Sequence, residues 1–179
     1  RDAQESRGLG DVYKRQNLDC AFCDTDLRYG TPMTEEEILA EVGSYPAPLV
    51  VVTGGEPSLQ LTESLVEGLQ ALGKRVAVET NGTHPLPAGV DWITCSPKLA
   101  YVGAKGRVVI ERVDELKVIY DGEHEVSDYG IHADHYLLQP CDVGDPLRNR
   151  VILDETVAYV LAHPLWRLSL QQHKLLGVR

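Results

Sequence analysis

The 179 residues carry a net charge of −10, with 43% hydrophobic and 25% charged side chains, the make-up of one globular domain with a real core. The acidity argues against a nucleic-acid surface, which needs a basic footprint, and an aromatic content of 6% is thin for stacking bases. No apolar run approaches the ~20 residues of a membrane span, and four cysteines make no disulfide framework, so no membrane is expected and the compartment is a reducing cytoplasm.

In chain order, residues 1–16 are polar and mixed in charge, with neither strand alternation nor helical period. Residues 7–16 resemble a translated adapter. Residues 1–16 are therefore expected to be a foreign or disordered segment, and residues 17–179 a single core domain. Thr34-Glu-Glu-Glu37 is a capping box with an acidic first turn, which predicts a helix to about Val42. Leu49 to Thr53 is a short β-branched run, read as a buried strand. Leu65, Val66, Leu69 and Leu72 have helical spacing within a stretch from Thr62 to Leu72, and Gly73 stops it. Arg75–Thr80, Val90–Thr94, Glu115–Tyr120, His135–Gln139 and Trp166–Gln171 read as further strands. Helices are expected near Gly122–Tyr129 and Asp154–His163. Strands alternating with helices imply right-handed βαβ units and an α/β fold with a parallel sheet.

Parallel α/β folds bind ligands at the carboxyl ends of their strands. The unusual polar residues fall there: Thr53-Gly-Gly-Glu-Pro57, Glu79-Thr-Asn-Gly-Thr83, Ser96-Pro-Lys98, Gln139-Pro-Cys-Asp142 and His173-Lys174. Each has a plainer reading. Gly54-Gly55 and Asn81-Gly82 suit turns, Lys98 suits solvent, and Cys95 and Cys141 suit buried thiols. Together they crowd one rim.

Cys20-Ala-Phe-Cys23 is the chemically sharpest motif. Alone, it leaves open half of a zinc site completed by Cys95 and Cys141, or a thiol–disulfide pair. It also forms the last two cysteines of a C-x3-C-x2-C loop. Three thiolates on such a loop hold three irons of a 4Fe-4S cluster and leave the fourth open for a small molecule. Gln16 stands where the first of those cysteines belongs, and an amide cannot replace a thiolate.

The set of motifs resembles the radical S-adenosylmethionine (SAM) superfamily, and within it the 7-carboxy-7-deazaguanine synthases. The matching pieces are Cys20–Thr25, Thr53–Gln60, Glu79–Thr83, Ser96–Lys98, Glu115–Lys117, Leu138–Pro140 and Leu168–Lys174. The resemblance implies an open, partial parallel β/α barrel whose first strand is missing or replaced here. It implies a carbon–nitrogen lyase that turns 6-carboxy-5,6,7,8-tetrahydropterin into 7-carboxy-7-deazaguanine with loss of ammonia, for queuosine and 7-deazapurine synthesis. The cofactors would be a 4Fe-4S cluster, S-adenosylmethionine and Mg2+. The partners would be the pterin, an electron donor such as flavodoxin, and a second copy in a homodimer.

Residue by residue, the resemblance makes Cys20 and Cys23 cluster ligands. Phe22, Cys23, Asp24, Gly55, Ser96, Pro97, Lys98, Gln139, Pro140, Cys141 and Asp142 would contact the adenosylmethionine, and Glu56 would accept from its ammonium. Thr25 would offer its hydroxyl to magnesium, which takes few protein oxygens beside ligand oxygens and water. A loop hydroxyl capping a turn is the plainer role for Thr25. Thr53, His173 and the terminal Arg179 would contact substrate; a histidine satisfied near the core is the alternative for His173. The missing first cysteine makes this copy an expected inactive one. Another radical SAM enzyme, such as an activase, and a zinc-binding module using Cys20, Cys23, Cys95 and Cys141 are the competing readings.

Overall fold

Six strands lie side by side in the order in which the chain makes them, and every neighbouring pair is parallel. They are β1 (Leu49–Val52), β2 (Arg75–Thr80), β3 (Trp92–Cys95), β4 (Arg112–Tyr120), β5 (His132–Pro140) and β6 (Trp166–Leu168). The helices are α1 (Glu35–Gly43), α2 (Glu63–Ala71), α3 (Leu99–Val102), α4 (Pro146–Ala162) and α5 (Gln172–Leu176). The computed structural model describes residues 16–23 and 31–176, the side chains of His173 and Leu175 excepted. Among these residues β1 and β6 do not pair with each other, so the sheet is an open partial barrel.

Local chemistry starts the helices where the sequence marks them. The Thr34 hydroxyl accepts from the Glu37 N–H at 3.2 Å, and the Glu37 carboxylate accepts from the Thr34 N–H at 2.7 Å, which satisfies donors at the start of α1. Thr62 accepts from the Leu65 N–H at the start of α2. The start of α4 departs from the expected Asp154. Asp145 accepts from the N–H groups of Leu147 and Arg148, and Pro146 sits in the first turn, so the helix begins two turns earlier.

The expected helix near Gly122–Tyr129 does not form. The Asp121 carboxylate captures the N–H groups of Glu123 and His124, and Gly122 and Tyr129 both adopt positive φ. Local side-chain bonds of this kind divert the backbone from a helical ladder.

Strand alternation then divides the sheet into two faces. On β2, Val76 and Val78 are fully buried with Leu65, Val66 and Leu69 of α2, while Glu79 points to the opposite, concave face. A second cluster gathers Leu116 and Val118 of β4, Leu138 of β5 and Trp166 of β6. Each such aliphatic side chain contributes roughly 1.5–3 kcal/mol through burial. The two clusters fix the sheet from its outer side and leave the concave side for polar groups.

Candidate active site at the carboxyl rim

One cavity of about 690 Å³ opens at the carboxyl ends of the strands. Its wall includes Gln16, Cys20, Phe22, Cys23, Thr53, Gly54, Gly55, Glu56, Ser96, Lys98, Gln139, Pro140, Cys141 and Asp142. The described candidate ligand residues therefore converge on one space, except Pro97, which is buried outside the cavity wall; of the rim motifs, Pro57, Gly82 and Thr83 also lie off that wall. Asp24, Thr25, Arg179 and the side chain of His173 lie outside the described residues.

The turn after β1 is held by a buried carboxylate. Glu56 accepts from the Thr80 hydroxyl at 2.6 Å, from the Asn81 N–H at 2.7 Å and from the Ser58 N–H at 3.0 Å. Glu56 thus locks the Gly54-Gly55 turn to the end of β2. With both oxygens engaged, its main work is internal, and the glycine backbone is what faces the cavity. Gly54 has φ 119°, a conformation that favours glycine, and its lack of a side chain leaves room for close approach by a ligand.

The turn after β2 is equally tight. Gly82 has φ 78°, and a Cβ there would lie 2.6 Å from the Cys95 sulfur. Asn81 reaches across to the cysteine loop and donates to Asn17 Oδ1 at 2.9 Å, while the Asn17 amide donates to Thr83 at 2.7 Å. Phe22 packs edge-on against Tyr101, with centroids 4.8 Å apart. The Tyr101 hydroxyl donates to the Ile119 carbonyl, and burial pushes its pKa up.

Lys98 donates to the Ser96 carbonyl at 2.6 Å and the Ser96 hydroxyl at 2.7 Å. Burial lowers its pKa to about 8. Burial also raises the Cys20 thiol, an effect that the nearby Lys98 cation opposes. At the far side of the rim, Asp142 accepts from Lys174 at 2.7 Å, Asn149 at 2.7 Å and the Gly144 N–H at 3.0 Å. These bonds, led by that from Lys174, bring its pKa down to about 2.

The concave floor adds residues that motif reading left out of the candidate set. Glu79, Glu115 and Lys117 line the cavity. Lys117 donates to Glu79 at 2.9 Å, and Glu115 accepts from Thr94 at 2.8 Å. Glu79, Thr94 and Glu115 occupy one rung across β2, β3 and β4. The signal was present as period-two alternation: Glu79 and Glu115 stand on the face opposite the buried Val78 and Leu116.

The donor set does not fit a three-thiolate cluster. Cys20 and Cys23 flank a turn closed by the Cys23 N–H to the Cys20 carbonyl at 3.0 Å. At position 16 the Gln amide oxygen accepts instead from the N–H groups of Asn17 and Leu18, at 3.0 and 3.2 Å. That oxygen is spent on the loop's own backbone. A zinc site using all four cysteines fares worse. Cys95 is fully buried in the core, where burial pushes its thiol up to about 12. Among the described residues, no group of three or more His, Cys, Asp or Glu side chains could hold a metal ion. The glycine turn, by contrast, leaves its backbone open to close approach by a polar ligand from the cavity.

An open parallel sheet with a cysteine loop and a Gly-Gly-Glu-Pro turn at one rim is the architecture of a radical SAM protein, and residues 14–102 match the Radical SAM superfamily. The chain is 49% identical over 164 residues to the 7-carboxy-7-deazaguanine synthase of Bacteroides thetaiotaomicron, covering 91% of this chain and 83% of that one. It is 41% identical over 177 residues to the synthase of Bordetella pertussis, covering 92% and 80%. The crystal structure of QueE from Escherichia coli superposes with a TM-score of 0.60 at 25% identity, covering 88% of this chain and 82% of that one. The chain belongs to the 7-carboxy-7-deazaguanine synthase family of radical SAM lyases.

Proposed function

We propose that this fold serves the reaction of its family, converting 6-carboxy-5,6,7,8-tetrahydropterin to 7-carboxy-7-deazaguanine with loss of ammonia. As written, the chain binds the organic ligands of that reaction and does not turn them over, because Gln16 stands at a thiolate position. The observation that carries the reading is the single cavity joining the Cys20–Cys23 turn, the Gly54-Gly55 cradle and the polar floor.

The roles follow from the side chains. The backbone of Gly54-Gly55 approaches the amino-acid end of adenosylmethionine. Ser96, Lys98 and the Gln139–Asp142 segment close around the rest of it. On the floor, Glu79 and Glu115 accept from the N–H groups of the pterin's amino-pyrimidine edge. Lys117 keeps Glu79 aimed, since a charge-assisted bond orders a carboxylate. Thr53 offers a hydroxyl to the same ligand. Thr25 would meet Mg2+, and His173 and Arg179 would meet the substrate. Among the described residues no helix is long and apolar enough to cross a membrane. Four free cysteines suit a reducing cytoplasm, where flavodoxin-like donors operate.

The test compares the chain with its Gln16→Cys variant after anaerobic reconstitution. Iron, acid-labile sulfide, adenosylmethionine cleavage and pterin conversion are followed with magnesium present and chelated. The variant should hold a full cluster, cleave the cofactor and convert the pterin best with magnesium; the parent should do none of these. Equal iron and cleavage in the two would overturn the role given to Gln16. A variant that cleaves the cofactor but leaves the pterin untouched would overturn the substrate.

A further inference from the structure

One residue joins the two turns that line the cavity. The Asn81 N–H holds the Glu56 carboxylate, which locks the glycine turn, at 2.7 Å. The Asn81 side chain holds Asn17 of the cysteine loop at 2.9 Å, and its amide group also points to Gln16 Oε1 at 3.5 Å. Asn81 itself is buried. Among the described residues, every side-chain hydrogen bond from residues 16–23 to the rest of the chain ends on Asn81 or Thr83.

The direction of every bond around Asn81 follows from one backbone group. The Thr83 N–H can only donate, and it lies 3.0 Å from Asn81 Oδ1, which fixes the oxygen end of that amide. The Asn81 NH2 group therefore faces Asn17, and Asn17 presents Oδ1 to it. The Asn17 NH2 group is then turned to Thr83 Oγ1, which accepts at 2.7 Å. The Thr83 hydrogen goes to Asn81 Oδ1, since oxygens 2.7 Å apart need a hydrogen between them. The bonds close a ring of three side chains, Asn17 to Thr83 to Asn81 and back, each donating to the next. Bonds that run one way round a ring polarise and strengthen one another. His84 completes the proton count. Its Nδ1 lies 2.9 Å from Thr83 Oγ1, whose only hydrogen is already used, so the imidazole must donate. The ring thus sets His84 with its proton on Nδ1.

We infer that Asn81 is the positioning residue of this site: through its ring with Asn17 and Thr83 it holds the cysteine turn in register with the glycine turn. The path is short. Gly54-Gly55 is tied to Glu56, Glu56 to the Asn81 backbone, and the Asn81 side chain to Asn17, which lies three residues before Cys20. A backbone bond serves one turn and a side-chain bond serves the other, so the two can be uncoupled by truncating one side chain. Calling both turns ligand-bearing rests on the proposed function; the ring itself does not.

Nuclear magnetic resonance of the isotope-labelled full chain, with calorimetric titration of adenosylmethionine, reads the outcome. In the parent, the neutral His84 ring should carry its proton on Nδ1. Asn81→Ala keeps the backbone N–H on Glu56 and removes the ring. It should speed exchange of the Cys23 N–H, which closes the cysteine turn, and weaken adenosylmethionine, each by roughly tenfold, the worth of about one hydrogen bond. The Ser58 N–H, which reports the glycine turn through Glu56, and the amides of β4 should exchange as before. Thr83→Val keeps the shape and removes the hydroxyl; it should move the His84 proton to Nε2 and loosen the Cys23 N–H. Thr83→Ser should restore both. If Asn81→Ala also quickens the β4 amides, the Thr83 pair decides. A parent His84 protonated on Nε2, or a Cys23 N–H unmoved by Asn81→Ala and Thr83→Val, would overturn the inference. So would an affinity that neither variant weakens in a parent that binds. A parent that binds no adenosylmethionine overturns the ligand reading instead, and the His84 tautomer and Cys23 exchange still decide the ring.

Discussion

At the β2 end of the rim, the Glu56 carboxylate is fully buried and held by three neutral donors: a hydroxyl and two backbone N–H groups. At the β5 end, the Asp142 carboxylate is about one-third exposed, and its leading partner is the Lys174 ammonium of α5. The first arrangement is a lock. Removing it strands donors away from water, which costs more than the bonds themselves. The second is a latch, because water and salt compete with an exposed pair and keep its net contribution small. The cavity thus has one permanent wall and one adjustable wall.

Glu56→Ala should give the largest effect. It leaves the Thr80 hydroxyl and the Asn81 N–H without their partner, at a cost of about 3 kcal/mol read from urea unfolding. A loss as small as that of an ordinary surface change would show that Glu56 is not the lock. Next comes Gly82→Ala in the adjoining turn. A positive φ and a Cβ 2.6 Å from the Cys95 sulfur together predict a loss of about 2 kcal/mol, with the rim rather than the sheet deprotected in hydrogen exchange. A neutral outcome would mean that the turn has slack.

Asp142→Asn is the smallest, at under about 1 kcal/mol and shrinking further in salt. Its signature is the pH dependence. The folded pKa lies near 2, below the ordinary 3.8, so the carboxylate adds stability above pH 3.8 and loses it as the pH falls toward 2. The parent should weaken across that window more than the Asn variant does. Parallel curves for the two would remove the distinction between lock and latch.

Much of this was legible in the sequence because it depends on local pattern. The six strands were readable as short apolar runs between turn residues; α1 announced itself through the Thr34 capping box, and α2 through the spacing of Leu65, Val66, Leu69 and Leu72. The rim motifs followed from where those strands end. What escaped depended on competition or on distance. The 121–130 loop looked helical by composition, but Asp121 captures backbone donors that a helix would need. The early start of α4 lies in Asp145-Pro146, a pair as common in turns as at helix starts. The floor residues Glu79, Glu115 and Lys117 are far apart in the chain, and only strand register brings them together. Motif spacing gave Glu56 a ligand role, whereas its three internal bonds make it a buttress first.

The sheet is laid down in the same order as the chain is read, each strand against the one made just before it. During synthesis, every new strand from β2 onward meets a finished edge rather than waiting for a distant partner, so the loop-closure entropy is met in small instalments. The sheet can therefore grow like a zipper from its amino-terminal half. The cavity cannot grow the same way: it becomes a site only when β5 and the α5 latch arrive, after nearly all the rest of the chain has folded.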